Sequence, residues 1–185
     1  MKRALHWTSI ALLCLCALGV VYELRALGQA DAHNAAIAAL VAGRDVPLER
    51  LARAPDPVRL ARAVHLHRKK RYDEALATLN LILDRGDPAF RAKVFYNLGN
   101  LHLTQAMESV ERSEFEQAVP LIELAKAAYR DALLTDSAYW DAKYNLEVAM
   151  RLLPEMARID AAGAEDKEAE DALWTSVPDF PRGLP

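Results

Sequence analysis

Apolar residues recur every three or four positions along most of the chain, with polar and charged residues between them. The clearest stretches are segments 58–66, 75–83, 94–103, 121–133 and 142–153. This spacing places the apolar side chains on one face of an α-helix. Runs of β-branched residues are few, and 7 Gly and 9 Pro are too few for a protein made of strands and tight turns. The pattern therefore predicts an all-α protein.

The N-terminal segment has a different pattern, because residues 5–24 would be apolar on every side of a helix. Two basic residues precede this run, and no charge interrupts it before Glu23. A helix of about 20 apolar residues spans a bilayer, and preceding positive charges favour a cytoplasmic N-terminus. The segment predicts a transmembrane anchor that is not cleaved. The alternative is a cleaved signal peptide, although the small residues Ala26 and Gly28 follow charged residues, which is unusual near a cleavage site. Either interpretation predicts that the rest of the chain is exported.

These patterns divide the chain into four parts. Residues 1–25 form the anchor or signal segment, and residues 26–56 form a helical linker, in which Gly43 and Pro47 end an Ala-rich helix of residues 26–43. Residues 57–160 form a helical domain, and residues 161–185 combine an acidic linker with a tail rich in proline and aromatic residues. The predicted fold is thus an anchor helix, a short helical-hairpin array and an extended C-terminal tail.

The most distinctive local motif lies at Phe95–Leu103 and returns in weaker form at Ala142–Val148. Small and aromatic residues at helical spacing lie between the two copies, at Ala125, Tyr129 and Ala132. This arrangement resembles the tetratricopeptide repeat (TPR), which has two antiparallel helices in 34 residues and small residues where they touch. An insertion that includes residues 107–114 separates the two helices of the second repeat. It either lengthens both helices or forms a loop at one end of the hairpin.

The resemblance implies that the first helix of each repeat lines a concave groove. The residues that match the groove positions are Tyr96, Asn97, Asn100, Leu103, Tyr144, Asn145 and Val148. An asparagine amide both donates and accepts hydrogen bonds, so it could hold an extended peptide backbone. The alternative interpretation is that Tyr96 and Tyr144 pack between helices.

The C-terminal tail carries the second candidate for protein binding. Trp174, Phe180 and Arg182 lie in a segment with three prolines, which cannot form a helix or strand alone. Apolar side chains on a prolyl backbone are typical of docking peptides. The alternative is that Trp174 and Phe180 fold back and cap the last helix, since repeat arrays need a cap.

Charge and motifs exclude several functions. A net charge of −3 argues against a nucleic-acid-binding protein. Cys14 and Cys16 are two residues apart on a helix and face different sides, so they indicate no disulfide. His65 and His67 have the same spacing and predict no metal site. The pattern contains no catalytic triad and no phosphate-binding loop, and we expect no enzyme, no cofactor, no metal and no small-molecule substrate.

The anchor, the degenerate repeats, segment Asp141–Glu147 and the ending Phe180–Pro185 together resemble a bacterial group of small TPR proteins. These proteins accompany MoxR-type ATPases and von Willebrand factor A proteins in gene clusters, and the nearest likeness is to the member of the methanol-oxidation cluster. The resemblance implies an inner-membrane protein with a periplasmic body. It also implies an accessory role in maturing methanol dehydrogenase, in calcium insertion or assembly, beside von Willebrand factor A-type membrane proteins. The alternative is a structural subunit of another such complex, with no free groove.

Overall fold

The computed structural model describes residues 2–47 and 54–162, and for residues 2–12, 14 and 153–162 it describes the backbone alone. Every regular element in these ranges is a helix, which confirms the all-α prediction. The helices are α1 (Lys2–Val41), α2 (Asp56–Arg68), α3 (Tyr72–Asn80), α4 (Pro88–Glu111), α5 (Phe115–Thr135) and α6 (Trp140–Ala162). The chain forms two compact units, Met1–His65 and Leu66–Pro185.

Helix α1 is continuous over 40 residues and ends where the sequence predicts, at Gly43. The Gly43 N–H donates to the Leu40 carbonyl at 3.0 Å, and the Arg44 N–H donates to the Ala39 carbonyl at 2.9 Å. These two bonds form a Schellman motif, which needs a left-handed residue after the helix. Gly43 supplies it with a φ of 79° and without the steric cost of a Cβ.

The apolar side chains of α1 between residues 13 and 27 are exposed on every side of the helix. They are Leu13, Leu15, Leu18, Val20, Val21, Tyr22, Leu24 and Leu27, all at least 46% exposed. Within the described residues, no helix meets the length and apolarity that a membrane span requires. The predicted anchor, residues 5–24, lies partly outside the described side chains and stays a prediction.

The C-terminal end of α1 has packing partners within its own unit. Leu40 is buried with Ala54 and Val58, and His65 is buried beside them. One ring nitrogen of His65 lies 3.2 Å from the Leu40 carbonyl, and the other lies 2.6 Å from an Asp45 carboxylate oxygen. Both neighbours are acceptors, so the histidine ties the end of α1 to α2.

Helices α4 and α5 form an antiparallel hairpin joined by a three-residue turn, 112–114. They have 24 and 21 residues, so the inserted residues lengthen both helices, which was the first of the two predicted outcomes. Pro120 lies in the second turn of α5. Helix α6 then packs on both α4 and α5.

Helix α4 is the central helix of the second unit. Its buried residues point in nearly all directions around the helix axis: Ala92, Val94, Tyr96, Asn97, Gly99, Leu101, His102, Leu103, Ala106, Ser109 and Val110. Its N-terminus is capped by Asp87, whose carboxylate accepts the Phe90 N–H at 2.8 Å, and Pro88 occupies the first helical position. The core of this unit therefore surrounds α4.

Candidate functional site

Most of the predicted groove residues are buried between helices α4, α5 and α6 of the second unit. Their exposed fractions are 5% for Tyr96 and for Asn97, 1% for Leu103, 2% for Asn145 and 9% for Val148. Their predicted position on an open groove is therefore not observed, because the side chains that fill the contacts between three helices cannot also face solvent. The alternative interpretation of Tyr96, as a packing residue, matches its position.

The two remaining groove residues are accessible. Asn100 is half-buried, and Tyr144 on α6 is 40% exposed. The inter-helix packing interpretation of Tyr144 therefore does not match its position. These two residues are the part of the predicted site that a partner can reach.

Asn100 is the point at which the three helices meet through polar groups. Its side-chain oxygen accepts a hydrogen bond from the Tyr129 hydroxyl at 2.7 Å and another from the Asn145 amide at 2.8 Å. The same Asn145 amide lies 3.3 Å from the Tyr96 hydroxyl oxygen. Helices α4, α5 and α6 are thus joined by one hydrogen-bond network, which we call the Asn100 network (Tyr96, Asn100, Tyr129 and Asn145). Such networks fix the relative positions of packed helices.

Gly99 allows this network to form, because it lets the Tyr129 ring lie against the backbone of α4. A Cβ at position 99 would lie 2.5 Å from a ring carbon of Tyr129. Tyr129 is completely buried, so its ring has no space to move away. The glycine of the sequence motif is therefore a close-contact residue between α4 and α5.

The aromatic residues around the network form a tightly packed group. The Tyr96 ring lies 6.0 Å from the Tyr129 ring and 5.1 Å from the Tyr139 ring, both in tilted arrangements. Burial raises the pKa of the Tyr96, Tyr129 and Tyr139 hydroxyls above the usual value of 10.0. The phenols therefore remain protonated, and the Tyr129 hydroxyl keeps its role as a donor.

Asn97 cannot hold a peptide in the way the sequence suggested. Its amide donates to the Lys93 carbonyl of its own helix at 2.7 Å. This bond satisfies a buried side chain locally, as polar residues inside helices often do.

A second polar cluster, which the sequence did not indicate, joins α4 to the turn before α3. The Glu108 carboxylate lies 2.8 Å from the Lys70 ammonium and accepts the Tyr72 hydroxyl at 2.7 Å. Burial raises the pKa of Glu108, but the hydrogen bonds from Lys70 and Tyr72 outweigh it and lower the pKa below 4.5. The partners are far apart in the chain, so spacing alone could not reveal this cluster.

The two histidines of the His65–His67 pair contact different partners. His67 lies 3.0 Å from the Thr104 hydroxyl, whereas His65 contacts Asp45 and Leu40. In the described part of the chain, no group of three His, Cys, Asp or Glu residues could hold a metal ion.

Among the residues of the second unit that the structure describes, those on the outer face of α6 form the most exposed aromatic surface. Trp140 is 76% exposed and Met150 is 52% exposed, and they flank Tyr144. The Lys143 ammonium lies 4.8 Å from the centre of the Trp140 ring. The available signal for this surface in the sequence is an aromatic residue, Trp140, on a polar helix face. Trp174, Phe180 and Arg182 lie outside the described residues.

Comparison of the chain with protein-family models, curated proteins and solved structures gave no match. The observations thus define a class by structure alone, an all-α protein whose second unit is built on an antiparallel helical hairpin.

Proposed function

We propose that this protein is a membrane-tethered adaptor that binds a protein partner through helices α4, α5 and α6, which we call the helical unit. Residues 5–24 of α1 insert into the inner membrane, and the following residues lie in the periplasm. The helical unit supplies a preformed surface, because the Asn100 network and the packing around α4 fix its helices before a partner arrives.

The observation that carries the tether is the exposure of apolar side chains around α1 from Leu13 to Leu27. A helix that is apolar on all sides needs an apolar environment on all sides. At 1.5 Å per residue, segment 5–24 is about 30 Å long, which is the thickness of the hydrocarbon core of a bilayer. A lipid bilayer provides that environment over that length.

The arrangement of α4, α5 and α6 supports a TPR-like interpretation of the helical unit. Small residues lie where α4 and α5 touch, with Gly99 on one helix and Ala125 and Ala132 on the other. Tyr129 fills the space between them, as aromatic residues do in that repeat. The helices are longer than those of a 34-residue repeat, so the proposal is a degenerate, lengthened form.

The resemblance noted in the sequence supplies the proposed partners, which are von Willebrand factor A-type membrane proteins and immature methanol dehydrogenase. In this proposal the adaptor assists assembly or calcium insertion by holding a partner, since the described residues offer no metal-binding group. Tyr144 and Asn100 are the predicted contact residues that remain accessible.

The test is capture of partners from detergent-solubilised membranes with the tagged full chain. Tyr144→Ala removes an exposed contact residue, whereas Leu134→Ala removes an exposed apolar side chain on α5 as a matched control. Recovery of the proposed partners with the wild type and Leu134→Ala, and their loss with Tyr144→Ala, would support the adaptor. Recovery of neither partner with the wild type would overturn the proposed identity of the partners.

One observation favours the second candidate, a structural subunit with no free groove. Five of the seven predicted groove residues are buried within the helical unit. In this case the same partners would be recovered with Tyr144→Ala as with the wild type, because the contact would be spread over other surfaces.

A further inference from the structure

The outer face of α6 has the chemistry of a surface that receives a proline-rich segment. This face is defined by Trp140, Lys143, Tyr144, Glu147, Met150 and Arg151, all exposed. Trp140 and Tyr144 are one helical turn apart, so both lie on the same face of α6. Surfaces lined by neighbouring aromatic rings bind prolyl segments, because such segments are already extended and lose little entropy on binding.

The chain carries such a segment after α6. Residues 173–181 contain two prolines, Pro178 and Pro181, together with the aromatic residues Trp174 and Phe180. This composition joins apolar side chains to a backbone that prolines keep extended. We propose that segment 173–181 docks on the outer face of α6 of the same chain, with its prolyl and aromatic residues on Trp140 and Tyr144.

The length of the chain permits this contact. From Ala162, where α6 ends, Tyr144 lies about 27 Å back along the helix and Trp140 about 33 Å. The chain from Ala162 to Trp174 reaches up to about 40 Å when extended. The segment therefore arrives at the two rings when it runs antiparallel to α6.

The charges along this path are compatible with the same direction. The acidic residues 165–171 pass Arg151, which is exposed and paired with Glu147 on the adjacent turn. Beyond them, the apolar part of the tail arrives where the Lys143 ammonium lies over Trp140. The aromatic residues of the tail thus meet the aromatic region of the face.

The inference does not depend on the proposed adaptor role, since it concerns contacts within one chain. The two proposals share Tyr144, so a docked tail would compete with a partner for that residue. This competition would make the tail a regulator of partner binding.

The experiment is chemical cross-linking in the purified full chain in detergent, with Cys14 and Cys16 replaced by Ser. One variant carries Glu147→Cys and Thr175→Cys, which places thiols beside the proposed contact and leaves Trp140, Tyr144 and Trp174 in place. The matched control carries Asp131→Cys and Thr175→Cys, because Asp131 is an exposed acidic residue near the same end of the unit. A short bis-maleimide joins the two thiols.

The proposal predicts an intramolecular cross-link that forms about tenfold faster in the Glu147→Cys pair than in the control pair. Adding Trp140→Ala and Tyr144→Ala lowers the rate to within about twofold of the control, whereas adding Leu134→Ala leaves it unchanged. Equal rates in the two pairs would overturn the proposal. A cross-link between two chains, with a rate that rises with protein concentration, would also overturn it and assign the face to a second copy.

Discussion

Helices α1 and α4 share a sequence property and differ in structure. Each has apolar residues on nearly every side of the helix axis, α1 between residues 13 and 27 and α4 along most of its length. The side chains of α4 are enclosed by other helices of its unit. Those of α1 between residues 13 and 27 are exposed. Apolar residues on every side of a helix therefore indicate that the helix needs apolar surroundings on every side. They do not indicate whether protein or lipid supplies those surroundings.

The two helices also differ in their polar residues. Helix α4 carries Asn97, whose amide donates to the Lys93 carbonyl, and Asn100, whose side-chain oxygen accepts from Asn145. Segment 13–22 of α1 contains no Asn, Gln or charged residue. Protein neighbours can satisfy a polar group at a defined position, whereas the lipid core cannot. The same substitutions should therefore have different effects on the two helices.

The largest difference is expected for asparagine. Asn100→Ala on α4 removes the acceptor of both Tyr129 and Asn145 and leaves two buried donors without it. We expect a loss of about 3 kcal/mol in the free energy of unfolding. Asn34→Ala replaces an exposed residue of α1 and should change it by less than about 0.5 kcal/mol. Urea unfolding of the full chain in detergent, followed by circular dichroism, measures both, and equal effects would refute the role of the network.

Replacing a glycine by alanine should change the free energy of unfolding in opposite directions in the two helices. Gly→Ala inside a helix normally stabilises it by about 1 kcal/mol. At Gly99 the added methyl would overlap the buried Tyr129 ring, so we expect a net loss of about 2 kcal/mol. At Gly28 of α1 nothing lies within 4 Å of the new Cβ, so the usual gain should appear. The same unfolding measurement tests both, and a stabilising Gly99→Ala would contradict the close packing of α4 on α5.

Acidic pH should weaken the helical unit through its buried histidines. Burial lowers the pKa of His67 and His102 below the usual 6.5, so both are neutral in the folded protein. Protonation then favours the unfolded chain, and stability that is complete above pH 6.5 decreases as the pH falls through the lowered pKa values. Between pH 7.5 and pH 5, the free energy of unfolding should decrease less for His102→Gln than for the wild type. His33→Gln on α1 is the control, and an unchanged curve for His102→Gln would contradict this interpretation.

The smallest effect is expected where the two helices end. Both end in a Schellman motif, α1 with Gly43 and α4 with Ser113 at a φ of 60°. A left-handed non-glycine residue costs about 1 kcal/mol, so Ser113→Gly should stabilise the protein by up to that amount. Gly43→Ala should destabilise it by a similar amount. A destabilising Ser113→Gly or a stabilising Gly43→Ala would show that something other than backbone conformation decides these ends. Ser137→Gly, in a turn without positive φ, is the control.

The sequence predicted the helices well, because each helix needs an apolar face and a recognisable end. Gly43 ends α1 by a mechanism that can be stated from the residue type alone. The pattern could not decide whether the insertion would lengthen α4 and α5, since polar helices and loops have similar compositions. That outcome depends on contacts such as Val110 with the α5 residues in the same core.

The candidate site was less predictable, because a polar residue within a helical repeat can either face an open groove or pack between helices. Asn145 has the spacing of a groove residue, but its amide is used by Asn100 and Tyr96. Gly99 lies in the motif and Tyr129 lies between its two copies. Only the packing of the Tyr129 ring, 2.5 Å from where a Cβ at position 99 would lie, explains why the glycine is there. Contacts between helices decide these assignments, and a single sequence does not contain them.

The most direct test of the proposed tether uses the two native cysteines, which both lie within segment 5–24. A charged, membrane-impermeant maleimide is added to spheroplasts that express the full chain, before and after solubilisation with a denaturing detergent. A bilayer shields thiols in its core, so we expect the cysteines to be labelled only after solubilisation. In a variant with Gln29→Cys, which lies beyond the anchor on α1, the added thiol should be labelled before solubilisation. Equal labelling of the native cysteines and position 29 in intact spheroplasts would contradict a membrane-embedded α1.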